Sequence, residues 1–215
     1  MNTTRRHLRT RGTTRRRSSV PVKLNVEAAA AILSPIYAAL PITRAAGNHN
    51  LAYTEVEWPT LKTMIEYLEK QGPCTGTKFY DLGSGRGRAV LYMALAGPFD
   101  MSIGIEVLPE RIELNQQALA KLKASIPTAG MKVRIYESSF LNASFHYKDA
   151  RAVFLSNGYF DAETQGILFY TLNLTMPKGS LLFCAKEPVP IPAAFEKIGS
   201  FAGTPTTEIH ILKHL

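Results

Sequence analysis

The run Phe79-Tyr80-Asp81-Leu82-Gly83-Ser84-Gly85-Arg86-Gly87-Arg88 constrains this chain more than any other feature. A short apolar stretch, 78–82, reads as a strand and gives way to three glycines at alternate positions. Glycine lacks a Cβ, so such a loop turns tightly and lets backbone N–H groups approach a ligand. The mostly apolar stretch 86–95 then reads as a helix. Strand, loop and helix form the first half of a parallel crossover. Downstream the pattern repeats, with strand 101–107, a helix opened by Pro109 over 109–124, strands 131–136 and 150–155, helix 162–174 and strand 180–185. Such alternation predicts an α/β fold, a doubly wound and mostly parallel sheet with helices on both faces. Two further strands are expected over 195–215, around Gly203-Thr204-Pro205.

Ahead of the loop the periodicity is helical. Residues 25–40 read as a helix interrupted by Pro35, and 41–50 as a loop. In the next helix, opened near Pro59, Trp58, Leu61, Met64, Ile65 and Leu68 recur at three- and four-residue steps until Gly72-Pro73 stops it. The organisation expected is therefore an arm over 1–24, a helical segment over 25–72 and the main domain over 73–215. A length of 215 residues suits one such domain. No stretch approaches the roughly 18 to 20 apolar residues of a membrane helix, so no membrane partner is expected.

The net charge of +8 is not spread along the chain. Residues 1–24 carry 8 of the 25 basic residues and no acid, while the other 17 meet 17 acidic ones. The basicity is an N-terminal arm, expected to be disordered when free because it has little apolar surface to offset its ordering entropy. It suits a nucleic-acid-binding or nuclear-import arm, a mitochondrial transit peptide, or a solvated tail. Only Met1 and Leu8 are large apolar groups in residues 1–19, which weakens the transit-peptide reading. Cys74 and Cys184 lie far apart and the five histidines are scattered, so neither a disulfide nor a metal site is expected.

Two acids give the glycine loop its chemistry. Asp81 leads it, and Glu106 falls at the tip of the next strand, in Gly104-Ile105-Glu106-Val107. In a doubly wound sheet such tips face the ligand crevice, where Glu106 can accept hydrogen bonds from both hydroxyls of a ribose. A dinucleotide site would place a third glycine at 88, but Arg88 stands there and the spacing is G-x-G-x-G. An acid at the start of the loop suits instead a cationic methyl donor, whose ammonium and sulfonium it attracts.

The run Asp81 to Gly87, with Glu106, resembles motif I and the adjoining acidic motif of class I S-adenosylmethionine-dependent methyltransferases, over residues 78–185. The resemblance implies a seven-stranded Rossmann-like sheet with an antiparallel C-terminal strand. It implies S-adenosyl-L-methionine as cofactor, with Gly83, Ser84, Gly85 and Gly87 beside Asp81 and Glu106. More narrowly, the chain resembles the DOT (disruptor of telomeric silencing) type histone-lysine methyltransferases. Tyr53-Thr54-Glu55 is similar to that family's Tyr-Gly-Glu, and 104–111 is close to its wording. Ser139-Phe140-Leu141 resembles its Asp-Phe-Leu, which holds adenine. The segment 154–160 resembles the stretch beside the transferred methyl, and 200–205 one that lines the lysine channel, with Phe201 in place of tryptophan. The cofactor set thus implied adds Tyr53, Glu55, Ser139, Phe140 and Asn157. The catalytic set is Asn157, Tyr159, Phe160 and Phe201.

Each of these residues has a plainer role open to it. Phe140, Phe154, Phe160 and Phe201 suit a core, Asn157-Gly158 a turn, and Glu55 the start of a helix. The function expected is methylation of a protein lysine, a nuclear histone in a nucleosome first, with the arm on DNA. The alternatives are a mitochondrial or other non-histone lysine methyltransferase and an inactive cofactor- or RNA-binding module. A nucleic-acid amine methyltransferase ranks below these, because Asn157-Gly158-Tyr159-Phe160 lacks paired prolines. The acceptor, the degree of methylation and the oligomeric state are not legible in the sequence.

Overall fold

A computed structural model describes residues 23–42, 55–204 and 207–215. The arm up to Val22, and Tyr53 with its neighbours, lie outside the described residues. In chain order the elements are α1 (Val26–Ala38), α2 (Trp58–Lys70), β1 (Lys78–Leu82), α3 (Arg88–Ala96), β2 (Met101–Glu106), α4 (Pro109–Ser125), β3 (Val133–Glu137) and β4 (Ala150–Leu155). They are followed by α5 (Ala162–Thr175), β5 (Leu181–Cys184), β6 (Phe195–Thr204) and β7 (Thr207–His214).

The seven strands form one sheet in the order β3-β2-β1-β4-β5-β7-β6. Strands β1 to β5 pair in parallel, and β7 runs antiparallel to both β5 and β6. The strand period of two divides each central strand between the faces. Phe79, Ala152, Phe154, Leu181 and Phe183 point into a core with α1, α2, α3 and α4, where Leu33, Leu61, Met64 and Leu91 are fully buried. Tyr80, Leu82, Val153, Leu155, Leu182 and Cys184 point the other way, into a core shared with Leu168, Phe169 and Leu172 of α5. No helix covers that second face between β3 and β4. Irregular chain does so through Tyr147, whose ring meets Tyr80 edge-on at 5.2 Å.

Several boundaries differ by one or two residues from the sequence expectation, and three of them have a clear local reason. Helix α3 begins at Arg88 because Gly87, its N-cap, is left-handed at φ 80°. Strand β2 ends at Glu106, whose carboxylate binds the next two backbone amides. Strand β3 starts at Val133 because a 3-10 turn, Pro127–Lys132, holds Met131.

Candidate cofactor and acceptor site

The strand order reverses between β1 and β4, and the C-terminal ends of strands at such a point open a crevice. The glycine loop leaves β1 at this point. Gly83, Gly85 and Gly87 all have positive φ (84°, 53° and 80°), a backbone that side chains disfavour. The N–H groups of Gly83 and Ser84 donate to the Ile105 carbonyl at 2.9 and 3.0 Å, strapping the loop to β2. A Cβ at Gly87 would fall 2.2 Å from Asn115 Oδ1 of α4, so that position admits only glycine.

Asp81 and Glu106 stand at this point on adjacent strands, 4% and 3% exposed. Asp81 has no hydrogen bond or ion pair among the described residues, and burial, with Glu106 second, pushes its pKa up to about 8. Glu106 is braced. Its Oε2 accepts the Gly85 N–H at 2.8 Å, its Oε1 accepts those of Val107 and Leu108 at 2.8 and 3.0 Å, and Arg111 lies 3.9 Å away. A carboxylate offers about four acceptor positions, so the backbone already takes most of those expected to meet a ribose.

The acidic set is joined by two arginines whose role the sequence did not disclose. Arg86, 2% exposed, clasps Glu55 through Nη2 at 2.7 and 2.6 Å and through Nε at 3.0 Å. Its Nη1 donates to the carbonyls of Leu40 and Pro41 at 3.2 and 2.9 Å, and the guanidinium lies 5.6 Å from the Tyr37 ring centroid. Arg88 reaches Glu55 at 2.7 Å and the Val56 carbonyl at 3.1 Å, and lies 4.5 Å from the Trp58 ring centroid. Glu55 lines a small recess with Asp81, Gly83 and Ser84, and its carboxylate is engaged by both loop arginines.

Beyond the loop the expected residues divide. Phe140 and Phe160 come together, ring centroids 5.3 Å apart. Ser139 is exposed, and its Oγ accepts the Leu141 N–H at 3.2 Å in a local turn. Tyr159 is 54% exposed and lines a cavity of 410 Å³ with Glu55, Thr60, Phe154, Lys186 and Glu208. Asn157 departs from the expected amine-facing role. Fully buried, its Oδ1 accepts the Lys186 N–H at 2.9 Å and its Nδ2 donates to the Lys186 carbonyl at 2.9 Å and Gln165 Oε1 at 3.2 Å. The amide fastens the end of β4 to the chain after β5. Phe201 also departs from its expected place, stacking on Tyr67 of α2 at 5.7 Å and 20° instead of lining the cavity. Unforeseen cavity residues are Thr60, Ser156, Lys186 and Glu208. Ser156 left a trace in the sequence, inside the run 154–160, and Glu208 follows the motif around Phe201.

A cationic methyl donor fits this loop. Burial keeps Asp81 from ionising without a counter-charge, which a bound cation would supply, and the Ser84 hydroxyl in the same recess is buried with no partner among the described residues. Both line the recess that shares Glu55, Val56, Phe154 and Ser156 with the larger cavity.

Solved structures share this architecture. A methyltransferase from Geobacter sulfurreducens superposes with a TM-score of 0.57 at 12% identity, covering 87% of this chain and 90% of its own. The yhhF protein of Escherichia coli gives 0.58 at 15% identity, over 81% and 90%. Magnesium protoporphyrin IX methyltransferase from Synechocystis PCC 6803, solved with S-adenosylmethionine bound, gives 0.54 at 13% identity, over 73% and 79%. At these identities the likeness is one of fold. No curated protein matches the chain. Residues 44–185 match the family model for histone methylation protein DOT1, a span that takes in the glycine loop, both acids and β5. The chain is thus an S-adenosylmethionine-dependent methyltransferase and belongs to the DOT1 histone methylation family.

Proposed function

We propose that this enzyme methylates the side-chain amine of a protein lysine. The observation that carries the proposal is the wall shared by the recess of Asp81 and the 410 Å³ cavity, an arrangement that suits a donor in the first and an acceptor in the second. The cofactor supplies an activated methyl on sulfur, so the protein needs no covalent intermediate. Its residues align and desolvate. Glu208 lines the cavity as a carboxylate, its pKa lowered first by a 2.5 Å hydrogen bond from Ser200, and it favours entry of a cationic ammonium. Phe154, Tyr159 and Ile209 line the same space, and apolar surroundings lower an amine's pKa so that the neutral nucleophile forms.

Membership in a histone-methylation family supports a histone in a nucleosome as the first acceptor to test, and the nucleus as the place of work. The test is transfer of tritiated methyl from labelled cofactor to core histones, nucleosomes, a cell lysate and RNA, followed by acid hydrolysis. Label recovered as N-methyl-lysine is expected. Label on RNA alone, or on no acceptor, sinks the proposal, and lysine labelling confined to lysate proteins would retain lysine as acceptor while removing the histone.

A further inference from the structure

A second cavity, of 540 Å³, is walled by α5 and by residues 186–193. Lys186 lines both this groove and the acceptor cavity, so the two adjoin there. Phe169, Tyr170, Pro188, Val189, Pro190 and Pro192 give the groove an apolar wall, with Val189 93% and Tyr170 66% exposed. Ile167 and Leu174 carry the apolar surface further along α5.

Two details show what this wall suits. Gly166 lies inside α5, where glycine weakens a helix relative to alanine. A Cβ there would meet nothing within 4 Å, so packing within the described chain does not require glycine. Its effect is to leave the groove open. The charged residues lining the groove, among those described, are Lys186 and Glu187. Glu187 is ion-paired with Lys197 and lies 3.2 Å from His210 Nδ1. The wall thus offers an arginine-rich segment no uncommitted carboxylate, and Lys186 repels it.

We propose that this groove seats the polypeptide flanking the acceptor lysine, and that the flank it selects is apolar rather than basic. The proposal rests on lysine being the acceptor. An extended apolar stretch would lie along Tyr170 and Val189 while its lysine enters beside Lys186.

The test compares two short fluorescent peptides with one central lysine each, flanked by valine, leucine, alanine and proline in one and by arginine, serine and glycine in the other. Anisotropy reads docking on the full-length enzyme, and labelled-methyl transfer reads chemistry. The apolar peptide should bind about tenfold more tightly or better. Gly166→Leu should remove that preference while leaving cofactor affinity unchanged and the melting temperature unchanged or raised, because leucine is the better helix former. Equal or tighter binding of the basic peptide, or unaltered preference in Gly166→Leu, overturns the groove assignment. Selective docking of the apolar peptide, with no N-methyl-lysine formed on either peptide, histones, nucleosomes or lysate proteins, overturns lysine as acceptor and leaves the groove standing.

Discussion

Asp81 concentrates the tension between stability and function in one carboxyl. In the unfolded chain it titrates near 4, whereas in the folded protein burial, and then Glu106, raise its pKa to about 8. Between those values the folded state holds a proton that the unfolded state has released. Stability therefore falls as pH rises through this window, and the full penalty stands above about 8. Asp81→Asn removes it. The cofactor-free variant should melt above the native enzyme by a margin that widens from pH 5 to pH 8.5, reaching at least about 1 kcal/mol, or about 2–4 °C. The same variant should bind S-adenosylmethionine about tenfold more weakly or worse, a loss of about 1.4 kcal/mol. Calorimetry at both pH values checks this, and equal melting margins would refute the account. Because a cation favours ionised Asp81, cofactor affinity in the native enzyme should rise with pH toward 8 and binding should release a proton. Glu106→Ala should also weaken the cofactor about tenfold, through loss of the Gly85 brace as well as of a ligand.

The glycine loop and the N-terminal helices act as one element because Arg86 holds them together. Its guanidinium meets Glu55 and the carbonyls at the end of the α1 segment, and its own carbonyl accepts the Tyr37 hydroxyl at 3.1 Å. Arg86→Met should destabilise the fold by about 1–3 kcal/mol, since it strands the Leu40 and Pro41 carbonyls while Glu55 keeps its pairing with Arg88. Combined with Glu55→Gln in urea unfolding, the two losses should fall short of their sum, and strict additivity would show that the pair is not coupled. This contact also shows where the sequence stops being legible. Loop, alternation of strands and helices, and the two acids could be read because glycine spacing, element periodicity and strand ends are local signals. The Arg86–Glu55 pair spans 31 residues and the Asn157–Lys186 clamp 29, and no local pattern encodes a partner at that distance. Asn157-Gly158 has the sequence of a turn, and only the fold reveals that the amide is spent on Lys186. Phe201 is likewise drawn to Tyr67 by the packing of β6 on α2, which its neighbours in sequence do not specify.

At the scale of the whole molecule, charge is divided between an arm and a neutral body. Seven arginines fall in residues 1–22, outside the described fold, while residues 25–215 carry 17 basic and 17 acidic residues. If the arm grips nucleic acid, each arginine on a phosphate releases a counterion, and log K falls with log salt at about −0.9 per contact. Full-length enzyme titrated onto nucleosomes should then lose affinity steeply between roughly 50 and 200 mM salt, by as much as about 6,000-fold if all seven engage. Enzyme lacking residues 1–22 should give a shallower slope, with the difference counting the arginines in contact. Transfer to a free lysine peptide should be the same for both proteins, because cofactor recess, acceptor cavity and groove all lie in the body. An unchanged slope would leave the arm without a role on DNA, and a fall in peptide transfer would place it at the active site instead.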